Sequence, residues 1–441
     1  MMKLLKFSAR ERYKSGSVLV LFMCVFSIAF PQGVKHYTLD ELVRSAYVNY
    51  PFARQLSLTK LQNLESVKNL GTDWLPQVSV SGKGTCQSEV YSLKMPESIV
   101  QEFGLDLSQA RKLQYQGQMG ISQLIYDGGM SRVRKKQMAI DGEIQSDQIK
   151  SSMLQVEELV NTLFESILVD REQIKIIRFR QNDLEQRKKD IACAIQSGVS
   201  LRTDLQEIDA DLIQLRQQKM ALLMQQCQYC VQLSSYTRQS VDTTTVLDLP
   251  EVKDVENSNY TNRPDYRVFG EQLQGADCQL NQLRREALPR ISFFANGYYG
   301  RPGLNVMNYS THLSGIVGVS LTWNIAALYD NGHKKKMVEL NRELVKNRQS
   351  VYELNMDKQI EDLKIDVLKN KGLMDSDNDI VKIRLNVKKV AASQLKNGSI
   401  TLADYLIKLN DISRAMIGQS IHRIEFSMDM AKMRTLLNKN N

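Results

Sequence analysis

Leu113-Gln-Tyr-Gln-Gly-Gln-Met-Gly-Ile-Ser-Gln-Leu-Ile-Tyr-Asp-Gly-Gly129 decides how this chain is read. Leu113, Tyr115, Gly117, Met119 and Ile121 alternate with Gln114, Gln116, Gln118, Gly120 and Ser122. A period of two, with one apolar or small face and one glutamine-rich face, predicts a β-strand. Tyr126-Asp127-Gly128-Gly129 closes the strand, and no comparable turn signal follows for about seventy residues, so it feeds a very long helix. The same joint recurs. Leu313, Gly315, Val317, Val319, Leu321 and Trp323 alternate with Ser314, Gly318, Ser320, Thr322 and Asn324, and Tyr329-Asp330-Asn331-Gly332 is expected to close that strand.

The helix after Gly129 keeps a strict register. Positions 153, 156, 160, 163, 167, 170, 174, 177, 181, 184, 188, 191 and 195 advance by three and four without slip. Most are apolar: Met153, Val156, Val160, Leu163, Ile167, Ile174, Ile177, Leu184, Ile191 and Ile195. A period of about 3.5 residues held this long specifies a left-handed coiled coil. Ser197-Gly198-Val199-Ser200 interrupts it, and Leu205, Ile208, Leu212, Leu215, Leu222, Tyr229 and Leu233 resume the spacing, so the chain folds back as an antiparallel hairpin.

Working outward, the rest of the chain fits two copies of one unit. Asn49-Tyr-Pro51 corresponds to Asn262-Arg-Pro264, Leu75-Pro76 to Leu288-Pro289, and Ser197-Gly198 with Asp204 to Asn397-Gly398 with Asp404. Such self-similarity is read before anything else, because it sets the architecture. The expected organisation is a signal peptide (1–29), a first repeat (30–237), a connector (238–262) and a second repeat (263–441). The first repeat has strands at 76–88 and 113–126 and a hairpin tip near 198; the second has strands at 289–300 and 312–325 and a tip near 398. A helix over 38–71, with Thr38 and Glu41 as a capping box, opens the first repeat. Residues 89–112 read as a polar connection, and the Thr-, Asp- and Asn-rich stretch after Arg238 as a linker without core residues.

At the N-terminus, Lys3, Lys6, Arg10, Arg12 and Lys14 precede an apolar run from Val18 to Phe30. That run is too short to span a bilayer and suits the core of an export signal, with Ala29 the expected cleavage position. Cys24 lies inside the run after bulky Met23, which disfavours lipidation. The formal net charge is +9, five of the basic residues lie in the signal, and the mildly basic remainder makes no case for nucleic-acid binding. Cys227-Gln-Tyr-Cys230 has redox spacing but sits in a heptad helix, without the strand and turn that such chemistry uses.

Enzyme chemistry finds no constellation. His36, His312, His333 and His422 lack metal-ligand spacing, and no nucleophile elbow or phosphate loop occurs, so no catalytic residue, cofactor or metal is expected. Asp375-Ser-Asp377-Asn-Asp379 approaches a calcium loop, but Ile380 replaces the required glycine and Asn386 the terminal glutamate. It reads instead as a solvated polar break in a helix.

Four strands cannot close a membrane barrel, which needs at least about eight, and open edges are too costly in lipid, so if the apolar faces meet lipid the barrel must be shared among chains. The lipid-facing set is then Val78, Val80, Met119, Ile121, Ile291, Phe293, Val317, Val319 and Leu321, with Gln114, Gln116, Gln118, Ser292, Asn296, Ser320 and Thr322 inside. Trp74, Tyr126 and Trp323 fall at the helix-proximal strand ends, where an aromatic girdle belongs. Helices of about 68 residues, on the order of 100 Å long, continue the barrel as a tube.

The paired Leu-Pro, Tyr-Asp and Gly…Asp markers resemble the TolC-like outer-membrane efflux family over residues 38–437. The resemblance implies a mixed α and β fold: a homotrimer with a twelve-stranded β-barrel in outer-membrane lipid and a coiled-coil tunnel in the periplasm. It implies an exit duct of a tripartite efflux or type I secretion system. The tips Gly198, Val199, Ser200, Gly398, Ser399 and Ile400 would dock on a periplasmic adaptor (membrane fusion) protein fed by an inner-membrane RND or ABC transporter. Asp404 resembles the family's constricting aspartate at the periplasmic aperture and Asp204 its first-half counterpart, with Glu207 one turn on. Ile407 and Ile400 depart from the family, which in some members has an aspartate and an arginine there. The alternative is a periplasmic coiled-coil scaffold or adaptor without a channel, against which stand the two hairpins and four isolated strands.

Overall fold

The computed structural model describes residues 35–437 apart from 91–95, 103–110, 199, 253–258, 302 and 305–309. The signal segment 1–29, its Cys24 and the tip residue Val199 therefore lie outside the described residues. The chain runs β1 (His36–Thr38), α1 (Leu39–Asn49), α2 (Pro51–Asn69), a 3-10 turn at Thr72–Trp74, β2 (Gln77–Cys86), α3 (Glu97–Glu102) and β3 (Leu113–Tyr126). It continues through α4 (Met130–Gln196), α5 (Arg202–Thr237), β4 (Val246–Asp248), α6 (Pro264–Glu286), β5 (Arg290–Arg301), β6 (His312–Thr322), α7 (Ala327–Lys396) and α8 (Leu402–Leu436). No helix of the described residues is long and apolar enough to cross a membrane.

The helices form a wall one layer thick. Near the sheet its order is α2, α4, α6, α7; towards the tips it is α5, α4, α8, α7. The heptad positions of α4 from Met153 to Ile195 are all buried or half-buried, so the sequence register is the packing register. Off-register residues Phe164 and Ile176 are buried as well, because α4 packs against neighbours on both sides and needs more than one narrow seam. The short helices stack end to end on the return helices through specific caps. Arg263 Nη1 donates to the carbonyls of Thr435 (3.2 Å) and Leu436 (2.9 Å), and Ser45 Oγ donates to that of Thr237 (2.9 Å). These are last-turn carbonyls that have no partner within their own helix.

Four expectations change. The helix over 38–71 is two helices, because Pro51 forces Tyr50 into an extended conformation (φ −72°, ψ 144°). Its Thr38–Glu41 capping box is present. The connector is not free of core residues: β4 pairs in parallel with β1, and Val241 and Leu247 are buried with Leu42, Phe164 and Met428. Residues 375–379 do not break α7; Asp377 is buried and its Oδ2 lies 2.8 Å from His422 Nδ1 on α8. Tyr329-Asp330-Asn331-Gly332 does not close β6 but forms the first turns of α7. The first joint stops sharply because Gly128 and Gly129 both adopt positive φ (70° and 82°), conformations that glycine alone takes freely. In the second, Asn331 replaces the first of those glycines and donates instead to the carbonyl of Leu283 at 2.7 Å, so the helix extends backwards. The polar connection between β2 and β3 also contains the short α3.

The sheet is antiparallel with order β2-β3-β5-β6 and is open at both edges. Cross-strand partners share a face, and the pairs Val78↔Ile121, Val80↔Met119, Ile121↔Ala295, Ala295↔Val317, Phe293↔Val319 and Ile291↔Leu321 gather all nine expected apolar positions on one side. Gln114, Gln116, Gln118, Ser292, Asn296, Ser320 and Thr322 fall on the other.

Candidate functional site

Three features are built onto this frame: a two-faced sheet, the joint where it meets the helices, and the hairpin tips. The apolar face is exposed across its width, with Val80 at 79% and Leu321 at 64%. The polar face also carries Phe294, whose ring covers Gly318 on the neighbouring strand, and Ile316. A β-bulge between Leu124 and Tyr126 brings Tyr126 opposite Ile291, which turns its ring onto the apolar face. Trp74, Tyr126 and Trp323 are exposed at the helix-proximal end, and the indole of Trp323 donates to the Ala287 carbonyl at 3.0 Å. Tyr115 and Tyr299 stand at the far end of the same face, a second aromatic level that the alternating pattern contained but that was not singled out.

At the first joint, Asp127 holds the start of α4. Its Oδ1 accepts from Gly129 N (2.8 Å), and its Oδ2 accepts from Ser131 N (2.6 Å) and from Ser131 Oγ. These hydrogen bonds outweigh its burial and hold its carboxyl below the usual range. Leu288, of the Leu288-Pro289 marker, packs over Gly128, so the two halves meet at this turn. Beside it a cavity of about 370 Å³ opens among Asp73, Gln77, Leu124, Arg134 and Arg290.

Both tips end in a glycine at positive φ, 75° at Gly198 and 70° at Gly398. The second tip is a Schellman motif, with Gly398 N donating to Leu395 O (3.1 Å) and Ser399 N to Gln394 O (2.8 Å). Ser200 is half-buried and Ser399 exposed. Ile400 is half-buried against the core of the tip-proximal helices rather than standing free. Asp204 and Asp404 occupy the third positions of α5 and α8 and fold back on their own helix starts. Asp204 Oδ2 accepts from Leu201 N at 3.3 Å; Asp404 Oδ2 accepts from Thr401 N (3.2 Å) and Thr401 Oγ1 (2.7 Å). The Thr401 hydroxyl and amide hold the Asp404 carboxyl below its ordinary range. Glu207 is exposed one turn beyond Asp204.

Above the tips lies a cluster that the sequence reading missed. Tyr405, fully buried, donates its hydroxyl to Asp183, and Lys388 pairs with the same carboxylate. Arg187 lies over the Tyr405 ring at 5.9 Å and pairs with Asp190 at 2.6 Å. Burial and the Asp183 carboxylate push the Tyr405 hydroxyl well above its ordinary pKa. This joins α4 of the first hairpin to α7 and α8 of the second. Only Tyr405, one residue past Asp404, lay near a marker in sequence; its partners lie far away along the chain.

Midway along the wall, Tyr47 Oη donates to Glu157 (2.7 Å) and Thr435 Oγ1 donates to its other oxygen (2.7 Å), tying α1, α4 and α8 together. Asp170 occupies a heptad position, is 4% exposed, and has one oxygen without a partner; burial pushes its carboxyl up to about 6. Cys230 is buried and Cys227 exposed on one helix, unbridged, and burial raises the Cys230 thiol to about 11, away from redox reactivity. Among the described residues no group of three or more His, Cys, Asp or Glu is placed to hold a metal ion.

No protein-family model matches the sequence, and no curated protein matches it either. Solved structures do match the fold. The outer membrane protein VceC of Vibrio cholerae aligns with a TM-score of 0.69 at 11% identity, over 90% of this chain and 95% of that one. The Campylobacter jejuni CmeC outer membrane channel gives 0.70 at 14%, over 91% and 86%. The open state of the Neisseria gonorrhoeae MtrE outer membrane channel gives 0.67 at 13%, over 90% and 88%. At such identities the likeness speaks for architecture, and the architecture of this chain is that of the TolC-like outer-membrane efflux channels.

Proposed function

We propose that this chain is one protomer of an outer-membrane exit duct that extends into the periplasm. The carrying observation is that its two lateral edges are unsatisfied in complementary ways. One edge offers β2, then α2 with exposed Leu58 and Leu61, then α5 with exposed Ile213 and Met220. The other offers β6 and the outer stripe of α7, where Met337, Leu344 and Val351 recur every seven residues and Leu354 and Leu368 fourteen apart, each at least half exposed. Different patches meeting head to tail make a ring when the rotation closes. Apolar stripes of this extent are interaction surfaces on soluble and membrane proteins alike.

Three copies would pair β6 of each with β2 of the next into twelve strands, with the apolar face towards lipid and the glutamine-rich face lining the lumen. The same order of helix, two strands and two helices in residues 30–237 and 263–441 supports two repeats, and connector 238–262 bridges them. The likeness to VceC, CmeC and MtrE supports a channel for efflux, with the tips meeting a periplasmic adaptor and, through it, an inner-membrane pump. Asp204, Asp404 and Glu207 would ring the aperture. The scaffold alternative leaves the exposed apolar sheet face without a purpose. Native mass spectrometry after mild detergent extraction tests the reading: a trimer is expected, and a folded monomer that needs no detergent would overturn it.

A further inference from the structure

The cavity at the strand–helix joint has no role in a plain conduit. Arg134 reaches it from the second turn of α4 and Arg290 from the first residue of β5. Neither guanidinium has an ion-pair or hydrogen-bond partner among the described residues. Two carboxylates line the same cavity, and they differ. Asp127 is spent on Gly129 and Ser131, whereas Asp73 is exposed and has no partner among the described residues. Arg132, Lys135 and Lys136 belong to the same turns of α4 but do not line the cavity.

The sheet register says which side the cavity is on. Gln77 pairs with Ser122, Leu124 with Ser292, and Arg290 with Thr322, so the three sheet residues that line it belong to the polar face. In the exit-duct reading that face lines the lumen, and the inference rests on that reading.

We propose that Arg134 and Arg290 form a lumenal station that binds oxyanions, the carboxylate or phosphate groups of anionic cargo. Guanidinium is planar, permanently charged and weakly hydrated, and its fork matches carboxylate and phosphate oxygens bidentately. Two such forks lining one cavity hold an oxyanion better than a diffuse positive wall does. Asp73 opposes binding and keeps the station weak enough to release its cargo.

Single-channel recording in neutral phosphatidylcholine bilayers, with citrate and pyrophosphate as probes, tests this. Wild type is expected to show concentration-dependent block. Arg134→Gln with Arg290→Gln is expected to weaken the block about tenfold or more, as loss of charged hydrogen bonds should. Asp73→Asn is expected to strengthen it, and Arg132→Gln with Lys136→Gln to leave it nearly unchanged. Should the glutamine pair fail to assemble, Arg134→Lys with Arg290→Lys keeps the charge without the fork and should give a partial loss. A conducting channel without block, or block indifferent to both arginines, overturns the station and leaves the duct standing. Absence of conductance in any lipid overturns the duct itself. Phosphatidylglycerol retained in native mass spectra by wild type and lost from the glutamine variant would put this face against lipid and overturn the lumenal placement.

Discussion

Asp170 shows what a single polar residue does inside a heptad seam. Burial favours its protonated form, so its folded pKa of about 6 lies above the ordinary 3.8. A carboxyl whose folded pKa is raised costs stability once it must ionise. The cost is absent below the ordinary pKa, grows between roughly pH 4 and pH 6, and is constant above. The full shift corresponds to about 3 kcal/mol at neutral pH, at the upper end of what such a site delivers. Asp170→Asn should therefore raise the melting temperature of the detergent-solubilised protein at pH 8 and leave it nearly unchanged at pH 4. Equal shifts at both pH values would mean that charge burial is not the cause. At the tips the residue-scale question is whether Asp204 and Asp404 act beyond their own helices. Asparagine keeps an acceptor for the Leu201 and Thr401 amides while removing the charge. Asp204→Asn with Asp404→Asn should weaken cation selectivity and block by multivalent cations, with oligomer stability intact. Unaltered selectivity would leave both as helix-start residues.

The strands and joints make the next scale. Alternation places Val319 and Ser320 on opposite faces, and the pairs Phe293↔Val319 and Ser292↔Ser320 fix which face each occupies. If the apolar face meets lipid in a shared barrel, as proposed, arginine at Val319 should destabilise that barrel by about 2–4 kcal/mol, against little for arginine at Ser320. Folding titrations into lipid vesicles would measure the difference, and equal tolerance would count against the lipid-facing assignment. The joints show how two similar sequences end in different structures. Asp127-Gly128-Gly129 stops a strand and starts a helix at one point, because the carboxylate caps donors that two glycines present. Asp330-Asn331-Gly332 has the same appearance in sequence, yet Asp330 pairs with Lys334 one turn on at 2.6 Å, and the helix runs through.

For the whole molecule, the two faces of α7 explain why its apolar residues keep no single heptad register. Val345, Met356, Ile360 and Ala391 are buried against α6 and α8, while Met337, Leu344, Leu354 and Leu368 form a separate exposed stripe. Two seams on one helix blur a single period. If that stripe meets the next copy, Leu354→Glu with Leu368→Glu should shift the detergent-extracted protein from trimer to monomer in native mass spectra while helicity by circular dichroism is unchanged. A trimer that tolerates both charges would place the contact elsewhere.

The sequence by itself determined the strands, their two faces, the long hairpins, the register of α4 and the tip glycines. Each of these is written in local periodicity or in a turn residue, and the physics behind it acts over a few neighbours: the pleat of a strand, the pitch of a helix, the freedom of glycine at positive φ. Tertiary structure decided what depends on distant partners. Val241 and Leu247 enter the core because β4 finds β1, some two hundred residues earlier in the numbering. Asp183, Lys388 and Tyr405 become one cluster because two hairpins pack side by side. Arg134 and Arg290 share a cavity because the first residue of one strand comes to lie beside a helix start from the other half of the chain. Such meetings follow from which faces bury each other, and a pattern read along one chain carries no record of the residue that will stand opposite.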